Sequence, residues 1–216
     1  MPRDTYKHQG ARRRLVEELR AKGITQGPVL DAIGAVPRHL FIDDTAFEHH
    51  AYEDKAFPIG CGQTISQPYT VAFQTALLEI QPGMTVLEVG TGCGYQTAVL
   101  SCMGLKVFSI ERHRPLYFST RERLQRLGYR ATTVHGDGFK GLPQFAPFDR
   151  VIVTCGAPHV PEALVSQVKT GGRMVIPVGQ GPDQSMLSIS RTADGAMEQR
   201  EHGAFRFVPM LEDRVK

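Results

Sequence analysis

The sequence contains no tryptophan, only four cysteines among its 216 residues, and no long apolar run. A hydrophobic membrane-spanning helix needs about 18 or more consecutive apolar residues, so none is expected. The cysteines form no C-x-x-C pair and have no histidine at zinc-site spacing, which argues against a disulfide scaffold and a zinc finger. We therefore expect reduced thiols, a cytoplasmic protein and no contact with a membrane.

Charge of one sign is also scarce, since the formal net charge is only +3 at pH 7. Basic residues cluster at Arg12–Arg14 and Arg121–Arg126, both in helix-like segments where a solvated polar face is the ordinary explanation. We expect no nucleic-acid partner. His49, His50 and His159 lack partners at ligand spacing, so we also expect no metal.

Apolar runs typical of buried strands alternate with helical periodicity after residue 69. The predicted strands are Thr85–Val89, Val107–Ile110, Thr132–His135, Arg150–Thr154 and Arg173–Pro177. The predicted helices are Thr70–Leu78, Tyr95–Met103, Pro115–Leu127 and Val160–Val168. Such alternation predicts an α/β protein with a mostly parallel sheet and helices on both faces.

The two ends of the chain have different patterns. Near the start, Gln9–Ala21 and Pro28–Val36 predict two short helices that form a cap outside the core. The segment Pro37–Tyr69 is rich in Pro and Gly and is expected to be a long, irregular, functional loop. At the other end, Ser185–Arg191 and Phe205–Pro209 predict an antiparallel hairpin that closes the sheet edge.

A glycine-rich turn joins the first predicted strand to a helix. Gly90, Gly92 and Gly94 occupy alternate positions, which lets the backbone turn tightly and approach a ligand closely. A dinucleotide fingerprint would have its third glycine at position 95, where this chain has Tyr95. The G-x-G-x-G spacing therefore favours S-adenosylmethionine. The alternative is an ordinary strand-to-helix turn.

Three acidic residues accompany this turn. Glu111 ends the next strand, where carboxyl ends of adjacent parallel strands share a crevice, so it can accept both hydroxyls of a ribose. Asp137, in the turn after the third strand, can accept from the adenine amine, or can simply form the turn. Glu88 lies inside a buried strand and must find donors, for which loop amides or the cofactor ammonium are expected.

The second notable motif is the loop Gly62–Tyr69, which precedes the helix leading into this region. Ser66 offers a hydroxyl there, and the loop can cover the methionine end of the cofactor. The alternative is that Ser66 caps the following helix. Cys61 beside it can be reactive, although a small, half-buried apolar residue is the simpler expectation.

Paired nucleophile and base motifs are missing from the chain. A carboxylate acceptor is already ionised at neutral pH and needs no general base. Attack of such an anion on a sulfonium methyl neutralises charge, so placement in a water-free site would supply most of the acceleration.

With these motifs together, the chain resembles the protein-L-isoaspartate O-methyltransferase family from about Val36 to Pro209. The matching pieces are Gly62–Pro68, the glycine loop within Val86–Gly94, His135–Gly138, Ala157–Pro158 with Pro161, and Leu164 through Gly171–Gly179. The motif Gln63–Pro68 is far more specific than the glycine loop. Two departures are mild: Gly60-Cys61 replaces a pair that usually precedes the motif, and Glu88 stands where many members have Asp.

The resemblance implies a Rossmann-like S-adenosylmethionine-dependent methyltransferase fold and transfer of a methyl group to the free α-carboxyl of L-isoaspartyl residues in damaged proteins and peptides. S-adenosylhomocysteine would be the product, and the protein would be a monomer. It assigns Ser66 as the active-site residue and makes the C-terminal segment Phe205–Pro209 a support for an extended peptide. The cofactor-binding residues expected on this basis are Glu88, Gly90, Thr91, Gly92, Gly94, Glu111, Arg112, Asp137 and Gly138. The substrate-binding residues expected are Gln63, Thr64, Ile65, Ser66, Gln67 and Val208.

We expect one domain over residues 1–216. Residues 1–80 would hold the N-terminal helices and the substrate loop, residues 81–180 the cofactor-binding core, and residues 181–216 the hairpin. Three other readings stay open: a methyltransferase for RNA or a small molecule, a non-catalytic cofactor-binding scaffold, and a nicotinamide oxidoreductase. The Gln63–Pro68 loop argues against the first, and Tyr95 argues against the last.

Overall fold

The computed structural model describes residues 4–215, apart from the side chain of residue 45. Residues 1–3 and 216, which the predicted domain includes, lie outside the described residues. The chain begins with α1 (Tyr6–Ala21), α2 (Gly27–Ala35), α3 (Thr45–Glu48), β1 (Phe57–Gly60), β2 (Gln63–Ile65) and α4 (Pro68–Leu77). It continues with β3 (Thr85–Val89), α5 (Tyr95–Cys102), β4 (Lys106–Glu111), α6 (Arg114–Arg126), β5 (Ala131–His135) and β6 (Phe148–Val153). The last elements are α7 (Glu162–Ser166), β7 (Val168–Val178), β8 (Gln184–Arg191) and β9 (Met197–Phe205).

Seven strands form one sheet in the order β5-β4-β3-β6-β7-β8-β9. The first five are parallel, and β8 and β9 are antiparallel to their neighbours. The chain winds outward from β3 in one direction through β4 and β5, and in the other through β6 and β7. A ligand crevice is expected at such a switch point, at the carboxyl ends of the strands. The predicted fold class is confirmed.

Helices cover both faces of this sheet because alternate side chains of each strand point to opposite faces. Leu87 and Val89 of β3 belong to one buried cluster, which includes Leu164 of α7. Val86 belongs to another, which includes Leu100 of α5. Every one of these side chains is almost completely buried, so each face contributes its own hydrophobic core.

The two N-terminal helices form part of the core, and the expectation of a separate cap was wrong. Leu15 and Leu19 of α1 and Ile33 of α2 are buried in a cluster that also contains Val99 of α5. Their apolar stripe is short and lies among many charged residues, which makes the helices look peripheral in the sequence. In the structure they cover the outer side of α4 and α5.

The segment expected to be irregular contains local structure. A 3₁₀ helix spans Arg38–Phe41, α3 follows, and β1 pairs with β2 in an antiparallel hairpin. Arg38 is fully buried, donates to the carbonyl oxygens of Ala51 and Lys55, and lies over the ring of Tyr95. These contacts tie the segment before β1 to the start of α5.

The C-terminal hairpin exists, but its second strand lies earlier than predicted. It is β9, and of the expected strand Phe205–Pro209 only its first residue belongs to it. Most residues of β9 are exposed because it is an edge strand, so it lacks the apolar pattern on which the prediction depended. Pro209 instead forms an isolated parallel bridge with Gly156. No described helix is both long and apolar enough to cross a membrane.

Candidate active site

A cavity, partly open to solvent, lies at the carboxyl ends of β3 and β4. Its polar lining includes the glycine loop from Gly90 to Gly92 and the carboxylate-bearing Glu111. Its apolar lining includes Ile65, Val71, Val89 and Ile110. This mixture of apolar walls with a few polar groups is typical of small-molecule sites.

The three alternating glycines all have left-handed backbone angles, with φ of +99° at Gly90, +54° at Gly92 and +88° at Gly94. A Cβ on Gly90 would lie 2.6 Å from Oγ1 of Thr154, and one on Gly94 would lie 2.7 Å from Cγ2 of Thr120. Packing inside the protein therefore favours glycine at these two positions, in addition to the tight turn and the close approach to a ligand that were expected. Gly90 and Gly92 line the cavity, but Gly94 does not.

Glu111 is held at the cavity wall by backbone amides. Its Oε2 accepts from the amide of Gly92 and its Oε1 from the amide of His113, both at 2.8 Å. The residue is only 4% exposed. A carboxylate offers about four acceptor positions, so each oxygen retains one for a ligand hydroxyl. A vicinal diol fits this arrangement.

Glu88 does not line the cavity. It is completely buried between β3 and α5, where its Oε2 accepts from the hydroxyl of Thr97 at 2.5 Å. The expected loop amides are therefore not its partners, because its side chain points to the sheet face that α5 covers. Burial raises the pKa of Glu88 to about 8, so this carboxyl group is mostly protonated at neutral pH.

Asp137 and Arg112 have roles within the protein. The Asp137 carboxylate accepts from the amide of Phe139 at 2.9 Å and caps a short 3₁₀ helix, as the turn-forming alternative suggests. It does not line the cavity, although its neighbour Gly138 does. Arg112 lines the cavity, and its guanidinium donates to the carbonyl oxygens of Glu212 and Asp213.

A groove adjoins the cavity, and the predicted motif loop separates the two. Both spaces are lined by Thr64, Ser66, Thr154 and Val208. Gln63 and Ile65 line the cavity alone, and Gln67 lines the groove alone. The structure thus brings all six predicted substrate-binding residues to the cavity, the groove or their junction.

The Ser66 hydroxyl makes no hydrogen bond with any residue from 4 to 215. The N-cap of α4 is Gln67, whose side chain makes no capping bond, so the alternative of Ser66 as the cap is wrong. Without a bonded histidine or carboxylate among the described residues, Ser66 lacks the activation that a nucleophilic serine requires. Its hydroxyl is able to donate to a ligand.

Aromatic rings form one wall of the groove. Tyr69 stacks on Phe205 with centroids 6.5 Å apart, and Phe73 lies 5.1 Å from Phe205. All three are partly exposed. Asp183, His202 and Arg206 also line the groove. The wall was not predicted, because its members come from α4 and β9, which are distant in sequence.

The cysteines at the cavity are not nucleophiles. Burial raises the pKa of the Cys155 thiol to about 12 and also raises the pKa of Cys93. Both thiols are therefore protonated at neutral pH, and only a thiolate is strongly nucleophilic. Cys61 lies in the turn between β1 and β2 and is exposed, contrary to the expectation that it is half-buried.

One histidine cluster lies away from this site. Ligand atoms of Asp4, His8 and His39 lie within 4.8 Å of one another. Both oxygens of Asp4, however, accept from the guanidinium of Arg12, which places a positive charge beside any cation. We assign no metal to this cluster.

Thr154 is a cavity residue that the sequence analysis missed. It directly follows β6, and its hydroxyl donates to the carbonyl oxygen of Gly90 at 2.7 Å. The available signal was its position, because the carboxyl end of each parallel strand faces the same crevice.

Comparisons with known proteins agree with this site. The family described as protein-L-isoaspartate(D-aspartate) O-methyltransferase matches residues 10–215. The protein-L-isoaspartate O-methyltransferase of Christiangramia forsetii is 59% identical over 98% of this chain and 99% of its own length. That of Flavobacterium psychrophilum is 55% identical over the same shares.

Solved structures show the same architecture. A protein-L-isoaspartate O-methyltransferase with a TM-score of 0.83 is 29% identical, and the match covers 92% of this chain and 65% of that longer one. A Plasmodium falciparum protein assigned the same activity, crystallised with S-adenosyl-L-homocysteine, gives a TM-score of 0.82 at 23% identity over 95% and 99% of the two chains. The latter likeness shows the fold alone. The predicted family is confirmed: this chain belongs to the protein-L-isoaspartate(D-aspartate) O-methyltransferase family.

Proposed function

We propose that this protein transfers a methyl group from S-adenosylmethionine to the free α-carboxyl group of L-isoaspartyl residues in damaged proteins and peptides. The products are a methyl ester, which leads to repair, and S-adenosylhomocysteine. One observation carries the proposal: Ser66, whose hydroxyl has no hydrogen-bond partner among residues 4–215, lines both the cavity and the adjoining groove.

The residues of the cavity fit the nucleoside part of this donor. Glu111, with one acceptor position left on each oxygen, suits the two ribose hydroxyls. Gly90, Thr91 and Gly92 line the cavity beside it and suit the amino-acid part. Gly138 and Arg112 also line the cavity, and we assign them to the base. The donor supplies a methyl group on a positively charged sulfur.

Glu88 and Asp137 act on this cavity from outside it. Glu88 bonds to Thr97 and fixes β3 against α5, and Asp137 shapes the turn that presents Gly138. Gly94 allows α5 to start close to α6. We therefore assign these three residues to supporting the cofactor site.

The protein does not need a general base for this reaction. The acceptor carboxylate has an ordinary pKa near 4 and is ionised at neutral pH. Ser66 donates a hydrogen bond that orients it, and backbone groups near Val208 hold the peptide beside it. Ile65 and Val71 help to exclude water from the reacting atoms.

Gln63, Thr64, Ile65, Gln67 and Val208 form the remaining peptide contacts in this proposal. A cytoplasmic location, a monomeric state, a single domain and the lack of a nucleic-acid partner stay predictions from the sequence.

The decisive test uses two peptides that differ in one bond. Each receives methyl-labelled S-adenosylmethionine and the protein, and base-labile labelled methanol is measured. One peptide contains an L-isoaspartyl residue and the other a normal aspartyl residue at the same position. Label on the first peptide alone supports the proposal, and equal label on both, or on neither, contradicts it.

A further inference from the structure

The carboxylate of Asp54 joins three separate parts of the chain next to the motif loop. Its Oδ1 accepts from the amide of Tyr69 at 2.7 Å. Its Oδ2 accepts from the side-chain amide of Gln67 at 2.9 Å and from the ammonium of Lys22 at 2.7 Å. The side chain of Asp54 is only 4% exposed. This carboxylate is therefore a buried hub rather than a surface ion pair.

One of these bonds caps the N-terminus of α4. The first amides of a helix have no partner within the helix, and a capping side chain normally supplies one. Pro68 has no amide hydrogen, and the N-cap Gln67 makes no side-chain capping bond. Asp54, 15 residues earlier in the chain, accepts from the amide of Tyr69. Its negative charge at the helix N-terminus is also favoured by the helix dipole.

This arrangement has a consequence for Ser66. A serine at the start of a helix commonly uses its hydroxyl to cap it, and Ser66 lies two residues before α4. Because Asp54 takes that role, the Ser66 hydroxyl stays available at the junction of the cavity and the groove. Asp54 also holds the residue that follows Ser66, through the bond to Gln67. The loop position of Ser66 thus depends on a carboxylate that lines neither space.

We propose that Asp54 is a positioning residue for methyl transfer, which fixes Ser66 between donor and acceptor by anchoring Gln67 and Tyr69. The inference rests on the proposed function. A displacement of about 1 Å in a reacting geometry can cost on the order of 100-fold in rate. Loss of this anchor is expected to slow methyl transfer and to weaken binding of the peptide. The cofactor cavity should stay intact.

The informative variant is Asp54→Asn. Its oxygen can still accept from Tyr69, but its amide group faces the donors of Gln67 and Lys22. We expect kcat/KM for the isoaspartyl peptide to fall about 10- to 100-fold. The dissociation constant of S-adenosylhomocysteine, measured by calorimetry, should stay within about threefold of the wild-type value.

Restoration of the bond separates positioning from general stability. In Asp54→Asn/Gln67→Glu the polarity of the pair is exchanged, so that the new amide donates to the new carboxylate. Gln67 itself lines the groove, so the double variant is compared with Gln67→Glu alone, which carries the same change at the groove. We expect kcat/KM of the double variant to be the higher of the two. Gln67→Glu alone places two carboxylates together and should be impaired.

A matched control exists at the opposite end of the sheet. The carboxylate of Asp149 also accepts three hydrogen bonds. Two come from Thr85, through its backbone amide and its hydroxyl, and the third comes from the ammonium of Lys169. Asp149→Asn should lower thermal stability while kcat/KM at 25 °C stays near the wild-type value.

The outcomes are distinct. If wild type methylates the isoaspartyl peptide and Asp54→Asn does so equally well, Asp54 has no positioning role. The same holds if cofactor affinity falls in parallel with activity, or if the double variant has no higher kcat/KM than Gln67→Glu alone. If wild type itself does not discriminate the two peptides, the proposed function fails and this inference fails with it.

Discussion

The amide nitrogen of Gly92 lies 2.8 Å from Oε2 of Glu111, and this bond joins the glycine loop to the end of the neighbouring strand. Glu111→Ala removes the acceptor of this bond. It also removes the acceptor position that each carboxylate oxygen offers to a ribose hydroxyl. Hydrogen bonds to a charged group contribute about 1.5–3 kcal/mol each, so we expect the KM for S-adenosylmethionine to rise at least 10-fold. Steady-state kinetics and calorimetry with S-adenosylhomocysteine measure this effect.

The exposed Glu122 on α6 provides a matched control for that experiment. Glu122→Ala should leave both quantities unchanged. Wild-type affinity for S-adenosylhomocysteine in Glu111→Ala would show that this carboxylate does not bind the ribose.

The buried carboxyl group of Glu88 predicts an unusual dependence of stability on pH. Its pKa in the folded protein is about 8, against 4.5 in an unfolded chain. Between these values the folded state keeps a proton that the unfolded state releases. Its contribution to the free energy of unfolding is therefore complete below pH 4.5, decreases as pH rises towards 8, and is lowest above that.

Glu88→Gln has no titrating group at this position, so the pH dependence that Glu88 gives to the free energy of unfolding is lost. The difference in unfolding free energy between the variant and wild type should grow in favour of the variant from pH 5 to pH 8, by at most about 1.4 kcal/mol per pH unit. Urea unfolding at constant ionic strength measures it. A difference that does not vary with pH would mean that Glu88 is ionised in the folded protein.

Substitutions in the glycine loop should differ in severity. Gly90→Ala places a Cβ 2.6 Å from Thr154 at φ +99°, whereas Gly92→Ala meets Ile59 at 3.3 Å and has φ of +54°, which other residues can adopt. We expect the first to cost about 2–4 kcal/mol of stability and the second about 1 kcal/mol. Thermal unfolding of the two variants tests the order, and equal losses would contradict it.

The alternating part of the fold was predictable because parallel strands are buried on both faces and read as continuous apolar runs. Thr85–Val89 was predicted with the bounds that the structure shows. The edge strand β9 was misplaced because exposed strands need no apolar residues. Glu111 was predicted to face the cavity because it stands at the carboxyl end of a parallel strand, and it does line the cavity.

Other features depend on contacts that no local pattern contains. Asp54 caps a helix that begins 14 residues later, so the sequence instead suggested Ser66 as the cap. The glycine requirement at position 90 comes from Thr154, which is 64 residues away. Such pairings are fixed by the packed sheet and the loops around it.

The free hydroxyl of Ser66 predicts a specific kinetic defect. In Ser66→Ala we expect kcat for the isoaspartyl peptide to fall on the order of 100-fold, because one positioned donor is lost at the reacting carboxylate. S-adenosylhomocysteine should bind as in wild type, since the change removes a single oxygen from the cavity rim. Ser166→Ala, on α7, is the control and should be fully active. Unchanged turnover in Ser66→Ala would exclude an active-site role for the hydroxyl.

The aromatic wall of the groove predicts a preference among substrate peptides. Tyr69, Phe73 and Phe205 present partly exposed rings beyond Ser66, and an apolar side chain next to the damaged residue can bury its surface against them. Burial of apolar surface stabilises by about 25 cal/mol per Å², so contact over roughly 60 Å² would lower KM about 10-fold.

Isoaspartyl peptides with Phe, Ala or Glu beside the isoaspartyl residue measure this preference in wild type and in Phe205→Ala. We expect the Phe peptide to have the lowest KM in wild type, and the three values to converge in the variant because its wall is incomplete. The KM for S-adenosylmethionine is the internal control, since Phe205 does not line the cofactor cavity. If the variant kept the full preference for Phe, the bound peptide would extend from the active site without contacting these rings.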